Sequence, residues 1–203
     1  MKKITLLSGL LFSFFISSYG QNTITDPTAD EKADPIKARF LIASAAEFGG
    51  ESLATIYFDD NSSQEVHIGQ GVTFAIGGEF EFTNIKYFFI RTTLGYKFVT
   101  TKATNVDISL SRIPIKLTAH WNVVKKLCIG GGLAVHTGIK FKGGGLVPNV
   151  NFETATGPIF EISYGGLGIS YTLMNYKAFG ESFSANSFGL TFVLPLPKKT
   201  WRD

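Results

Sequence analysis

Ser187-Phe188-Gly189-Leu190-Thr191-Phe192-Val193-Leu194 sets Phe188, Leu190, Phe192 and Leu194 on one face of an extended segment. The opposite face carries Ser187, Gly189, Thr191 and Val193, all small. Side chains alternate across a strand, so the segment reads as a two-faced strand with a bulky apolar side and a narrow side. That design suits the wall of a small membrane barrel, where one face meets lipid and the other a crowded lumen.

The same period recurs upstream. Arg39 to Phe48 sets Phe40, Ile42 and Phe48 against Arg39, Leu41, Ala43, Ala45 and Glu47. Val66 to Phe82 reads as one strand, with Val66, Ile68, Val72, Phe74, Ile76, Phe80 and Phe82 outward. His67, Glu79, Glu81 and several small residues lie on its other face. Phe88, Ile90, Leu94, Tyr96 and Phe98 oppose Arg91, Thr93, Gly95 and Lys97. Ile113, Ile115, Leu117, Ala119 and Trp121 oppose Arg112, Lys116, Thr118 and His120. Ile108 and Leu110 have the opposite parity, which predicts a bulge or a strand end near Ser111. Leu127, Ile129, Leu133, Val135, Ile139 and Phe141 oppose Cys128, Ala134, His136, Gly138 and Lys140. Phe160, Ile162 and Tyr164 oppose Glu161, and Leu167, Ile169, Tyr171 and Leu173 precede the last strand.

Eight strands follow from this pass. Short turns at Thr83-Asn84, Val124-Lys125 and Gly165-Gly166 alternate with longer connections around 59–63, 101–105, 142–150 and 178–186. The expected fold is therefore all-β, an eight-stranded antiparallel up-and-down transmembrane β-barrel with short periplasmic turns and longer outer loops. The first hairpin is expected to run unbroken, with Tyr57 opposite Glu65, Phe48 opposite Phe74 and Phe40 opposite Phe82.

Composition agrees with strands rather than helices. After residue 20 no uninterrupted apolar run reaches the ~20 residues a spanning helix needs. Only helices and closed barrels satisfy every backbone group in lipid. Met1 to Gly20 has the parts of a secretory signal: Lys2 and Lys3, an apolar run from Ile4 to Ile16, then Ser18 and Gly20 before the expected cleavage. The expected organisation is a signal over 1–20, a polar lead-in over 21–37, the barrel over 38–196 and a periplasmic tail over 197–203. Removing two lysines with the signal lowers the formal charge from +3 to +1. No Lys/Arg cluster suited to nucleic acid remains. The single cysteine, Cys128, permits no internal disulfide.

Alternation alone does not say which face points outward, and a soluble ligand-binding calyx would turn the apolar face inward. An eight-stranded barrel has room only for side chains to fill it, so inward Phe and Leu at every position would overcrowd it. Aromatic residues also gather near strand ends, with Phe82, Phe88, Trp121 and Tyr164 by the short turns. Such girdles mark membrane interfaces.

With these residues in hand, the chain resembles the small eight-stranded outer-membrane barrels of the OmpA, OmpX and OmpW type. Ser187-x-Gly189-x-x-Phe192-x-Leu194 resembles the terminal-strand signal read by the barrel-assembly machinery. Leu53-Ala54-Thr55, Gly69-Gln70-Gly71 and Ser111-Arg112 are similar to stretches of a further group of barrels, a likeness that implies no activity. The resemblance implies residence in a bacterial outer membrane, with the membrane's lipids and the assembly machinery as partners.

Inward charges are the main candidate for function. Arg39, Arg91, Lys97, Arg112, Lys116 and Lys140 are expected to face Glu47, Glu79, Glu81 and Glu161 across the lumen, with His120 and His136 on the same side. Such a set either fills the lumen as an ion-paired plug or lines a narrow conduction path. Some barrels of this size are lipid-modifying enzymes, but the inward His67, His120 and His136 lie in no pattern with a nucleophilic serine and an acid. Pairing Trp121 with Leu127 would place His120 beside Cys128, two ligands where a soft metal needs more. No catalytic, cofactor or metal site is expected. The expected role is structural, or surface interaction with an extracellular protein or ligand through the outer loops; the alternative is an OmpW-like channel for small solutes.

Overall fold

The computed structural model describes residues 35–57, 63–103, 106–145 and 147–197. The expected signal, most of the lead-in, the tail beyond Pro197 and the 58–62 loop lie outside the described residues. The regular structure among the described residues is all strand: β1 (Ile36–Phe48), β2 (Ser52–Tyr57), β3 (Ser63–His67), β4 (Gly71–Phe82), β5 (Phe88–Ala103), β6 (Val106–Val124), β7 (Leu127–Lys142), β8 (Val150–Asn151), β9 (Ala155–Tyr164), β10 (Leu167–Thr172), β11 (Asn175–Ala178), β12 (Glu181–Ser184) and β13 (Ser187–Leu196).

Eight of these close into a ring. The order is β1, β4, β5, β6, β7, β9, β10, β13 and back to β1, each neighbour antiparallel. Closure removes the sheet edge, which is what allows strands to sit in hydrocarbon. The barrel starts two residues earlier than expected, because Ile36 and Lys37 pair with Phe82 and Glu81. Two further hairpins, β2–β3 and β11–β12, are separate two-stranded sheets at the long-loop end. β8 adds a short pairing to the outer end of β7.

The turns at the other end are short for local reasons. Gly165 and Gly166 take φ of 62° and 104°, the left-handed conformation a two-residue hairpin requires between Tyr164 and Leu167. Lys126 does the same at φ 72° beside the Val124–Leu127 pair. The first turn is longer than the expected Thr83-Asn84, running through residues 83–87 before Phe88 resumes the ladder.

Outward side chains form one apolar belt. Phe40, Phe74, Ile76, Leu94, Leu117, Leu133, Phe160, Ile162, Leu190 and Phe192 are all exposed on its surface. Aromatics edge it at the short-turn end, where Phe82, Phe88 and Trp121 sit with centroids 5.9 and 6.2 Å apart. Tyr96 and Phe98 stack at 6.0 Å at the other edge. At ~3.4 Å per residue and a tilt of about 40°, the stretch from Phe88 to Phe98 spans roughly 25 Å, the height of a lipid-facing band.

Three departures from the sequence reading share one cause, an interrupted ladder. The first hairpin is not continuous. Phe40 faces Gly78 and Ser44 faces Phe74, four positions from the expected register, while Tyr57 faces Ser63 and Thr55 faces Glu65, two positions from it. The chain leaves the ladder at Gly49 and Gly50, with φ of 116° and 86°, and the β2–β3 pairing is itself irregular between Ser52 and Ala54. Even-numbered slips keep each side chain on its face, so the inside–outside assignment survives in β1 and β4.

Val66 and Ile68 are not lipid-facing. A turn at Ile68-Gly69 separates β3 from β4, and both side chains are buried. On β6 the parity never switches, so Ile108 and Leu110 point inward with Arg112. The bulge lies instead on β7, where Lys140 faces Ser111 but Thr137 faces Ile113, so that three steps on β7 match two on β6. Gly138 supplies it at φ 60°. Beyond Gly138 the faces exchange: Ile139 and Phe141 turn inward, and Lys140, expected in the lumen, is exposed outside.

Candidate functional site: the filled lumen and its outer cap

Inward residues of β1, β4, β5, β6 and β9 meet in two charged tiers. In the tier nearer the short turns, Glu79 bridges two arginines, with Arg39 Nη2 2.8 Å from Oε1 and Arg91 Nη2 2.9 Å from Oε2. Arg39 also reaches Glu81 at 2.6 Å. The register explains the pairing, since Arg39 and Arg91 each lie directly opposite Glu79 on its two neighbouring strands.

His120 belongs to this tier. Its Nε2 lies 2.7 Å from Thr118 Oγ1 and 3.4 Å from Glu161 Oε2, and its ring stacks on Phe89 at 4.9 Å. Gly130 makes room for it, because a Cβ there would run into the imidazole. Cys128 Sγ is 3.7 Å from His120 Nδ1, as expected, though by a different register: Trp121 faces Ile129, and Cys128 faces Asn122. No group of three or more metal-ligating side chains is placed to hold an ion among the described residues.

The second tier centres on Glu47. Lys97 Nζ is 2.7 Å and Lys116 Nζ 3.6 Å from its carboxylate, and Thr73 donates to it at 3.0 Å. A carboxylate so deeply buried needs this many partners to offset its lost hydration. Lys97 and Arg112 also donate to the carbonyls of Gly69 and Gln70, at 2.7 and 2.6 Å. Those carbonyls belong to the turn between β3 and β4, so lumen cations fasten the β2–β3 hairpin at the mouth. Arg112 lies over the Tyr176 ring, its carbon 5.8 Å from the centroid. Between the tiers a cavity of about 40 Å³, large enough for a few waters, is lined by Thr73, Arg91, Lys116 and Glu161 and by the apolar Ala43, Ala45, Ala75 and Pro114.

Above the second tier the mouth is closed by an apolar cap that the sequence reading missed. Val66, Ile68, Ile108, Leu110, Ile139, Phe141, Phe152, Ile159, Met174 and Tyr176 form one buried cluster. It draws on both outer hairpins, the outer ends of β6 and β7, and the start of β9. Tyr176, in β11 beyond the belt, hydrogen-bonds His136 Nδ1 at 2.5 Å, and burial pushes its phenol up to about 12. Two signals pointed to this cap: the parity of Ile108 and Leu110, and Gly138 ahead of Ile139.

The expected site residues therefore divide. Arg39, Glu47, Glu79, Glu81, Arg91, Lys97, Arg112, Lys116, His120 and Glu161 come together in the two tiers, and His136 joins the cap through Tyr176. Lys140 is outside. His67 is not in the barrel wall but in β3, where it contacts Gly50 O at 3.0 Å and Glu65 at 3.3 Å. Ser187 and Gly189 face inward on β13, and Phe192 and Leu194 lie on its lipid side.

Neither a family model nor a curated protein matches the chain. Among solved structures it is similar to Ail, the attachment invasion locus protein of Yersinia pestis, at 9% identity and a TM-score of 0.42, covering 80% of this chain and 100% of that one. A second structure of Ail, in complex with the heparin analogue sucrose octasulfate, gives 10% identity and 0.41 over 77% of this chain and 97% of that one. Neisserial surface protein A gives 12% and 0.41, over 78% and 99%. The fold stands on the ladder itself: eight antiparallel strands, ring closure by β1 and β13, and an apolar belt outside a charged lumen. That combination is the architecture of a small β-barrel of the outer-membrane type.

Proposed function

We propose that the protein is a non-conducting outer-membrane barrel, structural in its wall and interactive at its outer rim. The observation that carries this is the apolar cap. A lumen in which Glu47 and Glu79 are each held by two cations from other strands, and whose mouth is sealed by Ile68, Leu110, Ile139 and Phe141, offers ions no continuous wet path. The rim is then the part available to partners. It presents the β2–β3 hairpin and the tip of β11–β12, where Phe179 is 86% exposed. An extracellular protein or surface ligand is the partner this reading implies. In its favour, the long connections gather at one end of the barrel, and open two-stranded hairpins provide edges for strand addition. Ser187, Gly189, Phe192 and Leu194 would serve as the assembly signal on the strand that closes the ring.

Planar-bilayer recording tests the closed lumen. The purified barrel is expected to insert without single-channel steps. Stable steps that change in Arg91→Ala or Lys116→Ala would overturn the plug and favour a narrow channel lined by the same residues.

A further inference from the structure

The two tiers differ in how their charges balance. Near the short turns, Arg39 and Arg91 meet Glu79 and Glu81, two cations on two carboxylates. Around Glu47 the balance fails. Lys97 and Lys116 both approach its carboxylate, and Arg112 lies directly opposite Lys97 on the neighbouring strand. Glu161 is the remaining inward carboxylate, and its contact is with His120 of the Glu79 tier. Counting it with the upper tier still leaves one enclosed cation over, and protonation of His120 or His136 would enlarge the excess. A buried charge without a counter-charge is costly, so the folded lumen is short of one negative charge.

Two of the upper cations show the deficit in their bonding. Arg112 is fully buried; its Nη2 donates to Gln70 O at 2.6 Å, but its Nε and Nη1 have no hydrogen-bond partner among the described residues. Lys116 Nζ stands 3.6 Å from Glu47 Oε1, too far for a hydrogen bond, and has no closer partner among the described residues. An ammonium carries three donors, so another acceptor is called for.

The room for that acceptor lies beside it. Lys116 lines the cavity of about 40 Å³ between the tiers, and Thr93, directly opposite it on β5, lines the same space. Arg91 and Glu161, both of the Glu79 tier, also line it, and the Glu161 carboxylate would hold a negative guest to the Lys116 end. Space for about three waters suits a monatomic anion and excludes a sugar acid. Water there would accept the hydrogen bonds but would not supply the missing charge.

We propose that this cavity is a site for one small monovalent anion of the halide class, held by the Lys116 ammonium with the Thr93 hydroxyl as second donor. The anion completes the charge balance of the folded lumen, so folding of the barrel takes it up. The proposal goes beyond the closed-lumen reading and does not depend on it, since a conducting barrel with the same tiers would carry the same excess.

The test uses the full barrel in zwitterionic vesicles, with urea equilibria read at constant ionic strength as chloride replaces gluconate. In wild type the folded-to-unfolded ratio should rise about tenfold for each tenfold rise in chloride above its dissociation constant. Lys116→Met, which keeps the bulk and removes the charge, should abolish that dependence, and Thr93→Val should weaken it. A flat response in wild type, or an equal chloride slope in Lys116→Met, overturns the site. Wild-type crystals grown in bromide give a reading that needs no variant to fold. An anomalous peak within hydrogen-bond reach of Lys116 Nζ is the expected result, and bromide confined to surface lysines overturns the proposal.

Discussion

Gly189 lies directly opposite Glu47 in the β1–β13 pair that closes the ring, and a Cβ at Gly189 would come 2.9 Å from Glu47 Cγ. The same position would meet Ser170 Oγ at 2.7 Å. The glycine that the sequence reading places in an assembly-signal pattern is, in the structure, the gap that admits the central carboxylate of the lumen. One residue answers two demands, closure of the wall and filling of the interior.

Gly189→Ala should therefore destabilise the barrel without any cellular machinery present. Overpacking of this kind costs about 1–3 kcal/mol, readable as a lower denaturant midpoint for refolding into vesicles. A glycine needed only for recognition would leave the midpoint unchanged.

Gly132 and Gly131 make a sharper pair. A Cβ on inward Gly132 would run into Leu117 O and lie 2.7 Å from Thr118 Cα, whereas on Gly131 it would meet Ile159 O at 3.4 Å. Gly132→Ala should cost about 1–3 kcal/mol and Gly131→Ala well under that. Equal midpoints for the two variants would contradict the close approach of β6 and β7.

Buried Glu79 holds two partly buried arginines, so Glu79→Ala leaves both without their shared carboxylate. Breaking a buried pair costs about 3–5 kcal/mol. Because the residues act together, Glu79→Ala and Arg91→Ala should be non-additive by about 0.5–3 kcal/mol in a double-mutant cycle. Additive losses would mean that the tier is solvated and its charges act independently.

The strand count, the ring order and the inside–outside assignment of most residues were legible because a two-residue period survives any even slip in register. Phe40 stays outside whether it faces Phe82 or Gly78. What the period does not encode is where a ladder stops. Val66 and Ile68 share parity with Val72, yet the turn at Ile68-Gly69 carries them over the mouth. Lys140 shares parity with His136, yet Gly138 at φ 60° inserts one extra residue and reverses the faces. In each case a glycine makes the break, and nothing in an alternating pattern distinguishes a glycine that bends the chain from one that lets strands approach closely. The charged tiers were readable as a set. Their division into a Glu79 group and a Glu47 group depends on cross-strand register, which the sequence reading placed four positions away for β1 and β4.

Leu117 and Thr118, adjacent on β6, report which face meets lipid. Leu117 is 56% exposed and Thr118 is buried. Leu117→Arg should cost about 2–4 kcal/mol near the midplane, measured by refolding into vesicles of zwitterionic lipid. Arginine at 118 should act by crowding, beside carboxylates that partly offset its charge. Tolerance of Leu117→Arg in a bilayer would reverse the faces of this strand.

The central claim is a closed barrel that turns its apolar belt to lipid, and electrophoresis of the folded protein tests it most directly. A ladder joined from β1 to β13 has no edge from which SDS can begin to unravel it at room temperature. Samples of the outer-membrane fraction, loaded in SDS with and without boiling, should run at two different mobilities, the unboiled band moving to the boiled position on heating. A single mobility under both conditions, together with recovery of the protein in the soluble periplasmic extract, would contradict the account.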